Sequence, residues 1–146
     1  MEFTIVPMEK THVPQIAALE KACFSAPWSE ASIASELENP LSLWLAAMEG
    51  EKVLGYVGSQ IVPPEADMMN LAVCQEARNQ SVGRRLVTAL CDALRQRGME
   101  SLTLEVRASN LGARSLYKAL GFTQVGLRRN YYFSPKEDGI ILRKEL

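Results

Sequence analysis

A chain of 146 residues, 47% hydrophobic, suits one domain whose folded form buries about two-thirds of the surface that the unfolded chain exposes. With 16 Lys and Arg against 17 Asp and Glu, the formal net charge of -1 gives no general attraction to nucleic acid or an anionic membrane, so any anion site must be local. The 3 cysteines, Cys23, Cys74 and Cys91, are odd in number and set in apolar surroundings, which fits reduced buried thiols in the cytoplasm better than a disulfide framework or a metal site.

At the N-terminus, "MEFTIVPMEK" lacks the basic stretch and long apolar run of a signal peptide, and no run in the chain reaches the roughly 18 apolar residues of a membrane span. "FTIV" reads as a short strand. Thr11 offers a helix N-cap, after which Ile16, Ala17, Leu19, Cys23 and Phe24 recur at helical spacing until "SAPW". His12, the sole histidine, falls in that helix's first turn and reads as a surface residue, so a Ser-His-Asp device or a multi-His metal site is not expected. Ser29 caps a second helix, "SEASIASELE", with Ile33 and Leu37 inward, ended by Asn39 before Pro40.

Strands follow. "LSLWLAAM" and "VLGYVGSQIV", joined through "EGEK", make an antiparallel hairpin; "PPEA" is a turn and "DMMNLAV" a third strand. Trp44, Met68 and Met69 on these strands read as core or sheet-face residues. From Gly83 to Arg97, Leu86, Leu90, Ala93 and Leu94 form one apolar stripe; Arg84, Arg85, Thr88, Asp92 and Arg95 face away, and Gly98 suits the position after the helix. "SLTLEV" alternates as a strand, "NLGARSLYKAL" is a helix ended by Gly121, and "FTQVGLR" and "GIILRKEL" are closing strands. The order predicts an α/β (α+β) fold over residues 1–146: a mixed, mostly antiparallel sheet with a central parallel crossover, flanked by helices on both faces.

"QEARNQSVGRRLV" leads from a strand into the helix N-terminus, where the first N–H groups have no intrahelical acceptor and the dipole favours an anion. A solvated surface loop is the plainer reading, and neither GxxxxGK[ST] nor GxGxxG is present. On the strand "SLTLEV", Glu105 lies on the more polar face near the C-terminal end, where ligands of α/β sheets bind, although a salt-bridged strand Glu is commoner. Asn110 is a good N-cap, and Tyr117 sits at packing distance in sequence from Ala113 and Leu120.

"LAVCQEARNQSVGRRLV" followed by "LEVRASNLGARSLYKALGF" resembles the acetyl-CoA-binding core of the GNAT superfamily of N-acetyltransferases. The resemblance implies a pyrophosphate loop of pattern R/Q-x-x-G-x-G/A at Arg78, Asn79, Gln80, Ser81, Val82 and Gly83, extended by Arg84. Ser81 departs from the family's Gly and would be strained by about 1 to 2 kcal/mol in a left-handed conformation. By the same likeness the backbone of Leu71, Ala72 and Val73 lies against the pantetheine, Asn110 contacts coenzyme A, Glu105 is the general base and Tyr117 the general acid near the cofactor's sulfur. No metal is implied.

"APWSEASIASEL", "LEVRASN", "SLYKALGF" and "RRNYY" before "EDGIIL" extend the likeness over essentially the whole chain to the RimI type, which acetylates the N-terminal alanine of a small-subunit ribosomal protein. The implied partner is a protein N-terminus, with no direct nucleic acid or membrane contact, and the chain is expected to be a monomer or weak dimer. Trp28 lines the peptide entrance or is a buried anchor between two helices. Two other readings stand beside this one: a GNAT enzyme acting on a small amine or a lysine side chain, and a non-catalytic acetyl-CoA-binding module, which would have no use for Glu105 with Tyr117.

Overall fold

The structure, a computed structural model, describes residues 2–78 and 81–146. Seven strands form one sheet in the order β1-β2-β3-β4-β5-β7-β6: β1 Thr4–Pro7, β2 Ser42–Glu49, β3 Lys52–Val62, β4 Glu65–Val73, β5 Ser101–Arg107, β6 Thr123–Tyr132 and β7 Glu137–Glu145. Every pairing is antiparallel except β4 with β5, which is parallel and joined by the crossover helix α3, Val82–Gln96. This is the expected mixed α+β architecture, with helices flanking the sheet on both faces.

Side-chain alternation divides the core. Leu43, Leu45, Leu54 and Val57 pack with Leu86, Leu90 and Leu94 of α3 and with Tyr117 of α4, Leu111–Ala119. Trp44, Val53 and Tyr56 point the other way, onto α1, Val13–Cys23, and α2, Glu30–Glu36. A Cβ at Gly58 would lie 2.5 Å from Trp44 Cε2, so only glycine lets that indole lie flat on β3. Gly98 and Gly121 follow their helices at φ of 83° and 93°, the left-handed closing position that glycine takes without strain. Among the described residues no helix is long and apolar enough to cross a membrane.

Local departures from expectation have simple causes. Thr11 does not cap α1: residues Lys10–His12 form a 3-10 turn first, and Glu9 and His12 cap it reciprocally, the Glu9 N–H donating to His12 Nδ1 at 3.0 Å. His12 is therefore buried, not a surface residue. Ser29 does cap α2, its Oγ accepting the Ser32 N–H at 3.0 Å. That helix closes at Glu36, so Leu37 is exposed and Glu36 takes the inward place, accepting from Gln60 Nε2 at 3.3 Å. Trp44 and Met68 are buried as expected, whereas Met69 is exposed.

Candidate active site

The parallel pairing of β4 and β5 is short. Glu65, Ala66 and Asp67 face Ser101, Leu102 and Thr103, and beyond them the two strands part. The register of β4 against β3 explains the separation: Gly58 pairs with Asn70 and Ser59 with Met68, leaving Met69 as an extra residue in a bulge, which bends and twists a strand. The β5-facing edge of Met68–Val73 therefore has no strand partner among the described residues, an opening where an added extended chain can pair, although the Val73 carbonyl at its end accepts from Arg78 Nε at 3.3 Å.

A cleft of about 950 Å³ opens at the divergence. Met68, Met69, Asn70 and Leu71 form one wall and Thr103, Glu105 and Arg107 of β5 another, while Asn110 and Tyr117 come from α4. Phe24 and Trp28 of the α1–α2 connection close one side, and Tyr131, Tyr132 and Pro135 of the β6–β7 hairpin the other. Glu105, Tyr117, Asn110 and Leu71, which lie far apart in the chain, thus share one cavity.

Alternation along β5 buries Leu102, Leu104 and Val106 and turns Thr103, Glu105 and Arg107 to the cleft. One Glu105 oxygen, Oε1, lies 3.1 Å from Arg128 Nε; Oε2 is buried without a hydrogen-bond partner among the described residues. A buried carboxylate oxygen left without a donor is costly, and a cationic ligand or an N–H would satisfy it. A hydrogen bond with this carboxylate, then burial, raises the Tyr131 phenol above its ordinary pKa, and burial, then Glu105, pushes Tyr132 up to about 12. Asp67 is likewise raised, by burial and then by Glu65 and Glu105, so this side of the cleft is crowded with negative charge.

Tyr117 is buried, edge-on to Phe122, with its hydroxyl 3.6 Å from Met68 Sδ. Burial raises its pKa, keeping the phenol protonated at neutral pH. Asn110 caps α4, its Oδ1 accepting the Ala113 N–H at 3.1 Å, as the plainer reading of that residue required. Arg107 reaches across to the hairpin: Nη1 donates to Pro135 O at 2.9 Å and pairs with Glu137 at 3.2 Å, and Nη2 donates to Phe133 O at 3.1 Å.

At the other end of the site, β4 runs into α3. Ser81 is at φ 66°, ψ 13°, the left-handed conformation, and its side chain makes no capping hydrogen bond. The N–H groups of Val82, Gly83 and Arg84 consequently have no intrahelical acceptor. A Cβ at Gly83 would meet only Leu116, Val73 and Leu71, at 3.6, 3.9 and 4.0 Å, ordinary contact distances. Packing within the chain does not require glycine there, and its place in a helix costs about 1 kcal/mol relative to alanine. A ligand close against the backbone is the simplest reason for it.

Arg84 is exposed and forms no ion pair among the described residues, whereas Arg85 stacks on Phe3 with Cζ 4.1 Å from the ring centre. Arg78 folds back, Nε donating to Val73 O at 3.3 Å and Nη2 lying 3.8 Å from Cys23 Sγ. Cys23 is accordingly half-buried at the cleft, unlike Cys74 and Cys91, which are buried as expected, and all 3 thiols are free. Asn79 and Gln80 of the loop lie outside the described residues. Replacing Ser81 by Gly is expected to relieve left-handed strain, net of glycine's greater unfolded-state entropy, by about 0.5 to 1 kcal/mol, seen as a rise of about 2 °C in Tm. A lower Tm would show that the Ser81 side chain holds the turn.

The residues that the sequence left unremarked are Glu20, Asn70, Asp67 and Arg128. Glu20 follows Ile16 by one helical turn, so its place on the apolar face of α1 was a readable signal. Nothing in the local pattern marks the bulge at Met69.

Residues 13–122, which hold both the parted parallel strand pair and the open helix N-terminus, match the model of the acetyltransferase (GNAT) family. The chain belongs to that family and is an acetyltransferase of the RimI type. It is 39% identical over 142 residues to the [ribosomal protein bS18]-alanine N-acetyltransferase of Escherichia coli strain K12, spanning 95% of each chain. It is also 34% identical over 136 residues to the putative enzyme of the same name from Bacillus subtilis strain 168, spanning 92% of this chain and 90% of that one. The crystal structure of the Escherichia coli ribosomal-protein-S18-alanine N-acetyltransferase matches 99% of this chain and 94% of its own with a TM-score of 0.90 at 36% identity. A NatC complex bound to Gag peptide and CoA shares the fold, with a TM-score of 0.89 at 21% identity over 100% of this chain and 99% of that one.

Proposed function

We propose that the chain transfers an acetyl group from acetyl-CoA to the N-terminal α-amine of a protein, namely the N-terminal alanine of a small-subunit ribosomal protein. The observation that carries the reading is the cleft between β4 and β5, which joins an unpaired strand edge to Glu105, with its unpartnered buried oxygen, while the N-terminus of α3 stands open where β4 ends. The named activity of relatives at 39% identity over 95% of the chain supports the substrate.

Acetyl-CoA fits the residues present. The backbone N–H groups from Asn79 to Arg84, with Arg78, would hold its pyrophosphate, and Gly83 leaves the space for it. The free edge of Leu71, Ala72 and Val73 would take the pantetheine amides as a short added strand, with Asn110 at its side. When bound it supplies an activated acetyl thioester.

An α-amine with a pKa of about 8 enters mostly as the ammonium, and Glu105, directly or through one water, removes its proton. Oε2 is the oxygen with capacity to spare. Tyr117, kept protonated by burial, returns a proton to the departing sulfur. Positioning contributes more than either transfer: well-oriented reactants gain about 7 to 11 kcal/mol, against about 3 to 5 from a group giving 10²- to 10⁴-fold. Thiol release assayed with a ribosomal N-terminal peptide, spermidine and an aminoglycoside tests the reading. Turnover of the peptide alone is the expected result; turnover of a small amine alone overturns it.

A further inference from the structure

Glu20 is fully buried in the last turn of α1, and no cation pairs with it among the described residues. Its two oxygens are met by neutral donors from three other segments. The Tyr56 hydroxyl of β3 donates to Oε2, the Trp28 N–H of the α1–α2 connection donates to Oε1 at 2.9 Å, and Asn70 Nδ2 of β4 lies 3.0 Å from both oxygens. Burial and the Glu20 carboxylate together raise the Tyr56 phenol well above its ordinary pKa, so this donor keeps its proton.

Carboxyl oxygens removed from water need hydrogen-bond partners in place of their hydration, and a group so held resists any movement that would break those bonds. The place of attachment matters here. Asn70 is the residue next to the Met69 bulge, at the point where β4 leaves β5. On the other side of the bulge, Met68 Sδ receives the Tyr117 hydroxyl. Glu20 therefore grips the bulge from behind the sheet while the candidate proton donor touches it from the cleft.

We propose that Glu20 is a positioning residue for acetyl transfer: through Asn70 it fixes the bulge at Met69, and so the opening of β4 from β5 and the place of Tyr117. The proposal rests on the reading of the cleft as the transfer site. It assigns Glu20 no contact with substrate and no proton transfer. The same carboxylate also ties Trp28, on the opposite lip of the cleft, to the strand that it faces.

The test combines kcat with amide hydrogen exchange in the full chain, using Glu20→Gln, Asn70→Asp, the double variant and Asn70→Ala, all measured well below Tm. Each single change is expected to lower kcat at least tenfold and to speed exchange at residues 68–71 at least tenfold, while residues 65–67, which stay paired with β5, exchange as in the parent. The double variant Glu20→Gln with Asn70→Asp restores an acid–amide pair with its roles reversed and should return to within threefold of the parent kcat. A general loss of stability would not be repaired in kcat by this exchange of roles. Should Glu20→Gln fail to fold, Asn70→Ala decides, because Glu20 then keeps Tyr56 and Trp28. A folded Asn70→Ala with kcat within twofold of the parent overturns the proposal, as does unchanged exchange at residues 68–71. A parent chain that transfers no acetyl group contradicts the reading of the cleft instead, and the exchange rates still judge the clamp.

Discussion

Replacing Gly83 by Glu is expected to abolish acetyl-CoA binding while leaving the fold at least as stable as before. The two effects have opposite origins. A side chain at Gly83 meets its neighbours only at contact distances of 3.6 Å and beyond, and a carboxylate in the first turn of a helix interacts favourably with the dipole, by about 0.3 to 1 kcal/mol. That same carboxylate would fill the space over the open N–H groups and repel a pyrophosphate. Calorimetry should show the dissociation constant rising by at least about a hundredfold, or roughly 2.7 kcal/mol, with Tm unchanged or higher. Binding as tight as in the parent would place the anion elsewhere.

The second large effect is expected at Glu105. Glu105→Gln removes the proton acceptor but keeps the shape, so kcat should fall about a hundredfold, within the range usual for a general base, while acetyl-CoA affinity stays within about twofold. The lost ion pair with Arg128, whose side chain is 55% exposed, contributes less than about 1 kcal/mol to stability, so a large fall in Tm is not expected. An unaltered kcat would remove Glu105 from the mechanism, leaving approximation of the two substrates as the source of rate.

The sequence carried the fold wherever the pattern is local. The stripe Leu86, Leu90 and Leu94 with Gly98 beyond it marks α3 because burial on one face of a helix must recur every three or four residues. The alternation of "SLTLEV" turned Glu105 to the polar face for the same kind of reason. Ser81 was legible as a point of strain only through the family likeness, whose pattern has Gly at that place, and the structure puts it in the left-handed conformation at φ 66°.

Non-local features were not legible in this way. The bulge at Met69 is a matter of register between two strands, and the sequence "DMMNLAV" alternates no differently with or without it. Glu20 reads as solvated by residue type, although its spacing from Ile16 puts it inward, because its donors come from Trp28, Tyr56 and Asn70, as many as 50 residues away. His12 misled in the same direction: its partner, Glu9, is local, but a 3-10 turn rather than an α-helical N-cap brings them together. The role of the hairpin in walling the cleft depends on Arg107 reaching the carbonyls of Phe133 and Pro135, a contact that strand propensity does not foretell.

The preference for an α-amine is the centre of the account. At pH 7.5 an α-amine of pKa about 8 is roughly one-quarter neutral, while a lysine ε-amine near 10.4 is about 0.1% neutral, a difference of more than a hundredfold in reactive fraction. The greater nucleophilicity of the more basic amine recovers part of this, so the shape of the cleft around Trp28 and Tyr131 must supply the remaining selectivity. The direct measurement is mass spectrometry of a peptide that begins with alanine and contains lysines, compared with the same peptide formylated at its N-terminus. A single acetyl group on the first nitrogen of the free peptide, and none on the blocked one, is the predicted result. Acetylation of lysine in the blocked peptide at a similar kcat/KM would contradict the account and make the chain a lysine acetyltransferase.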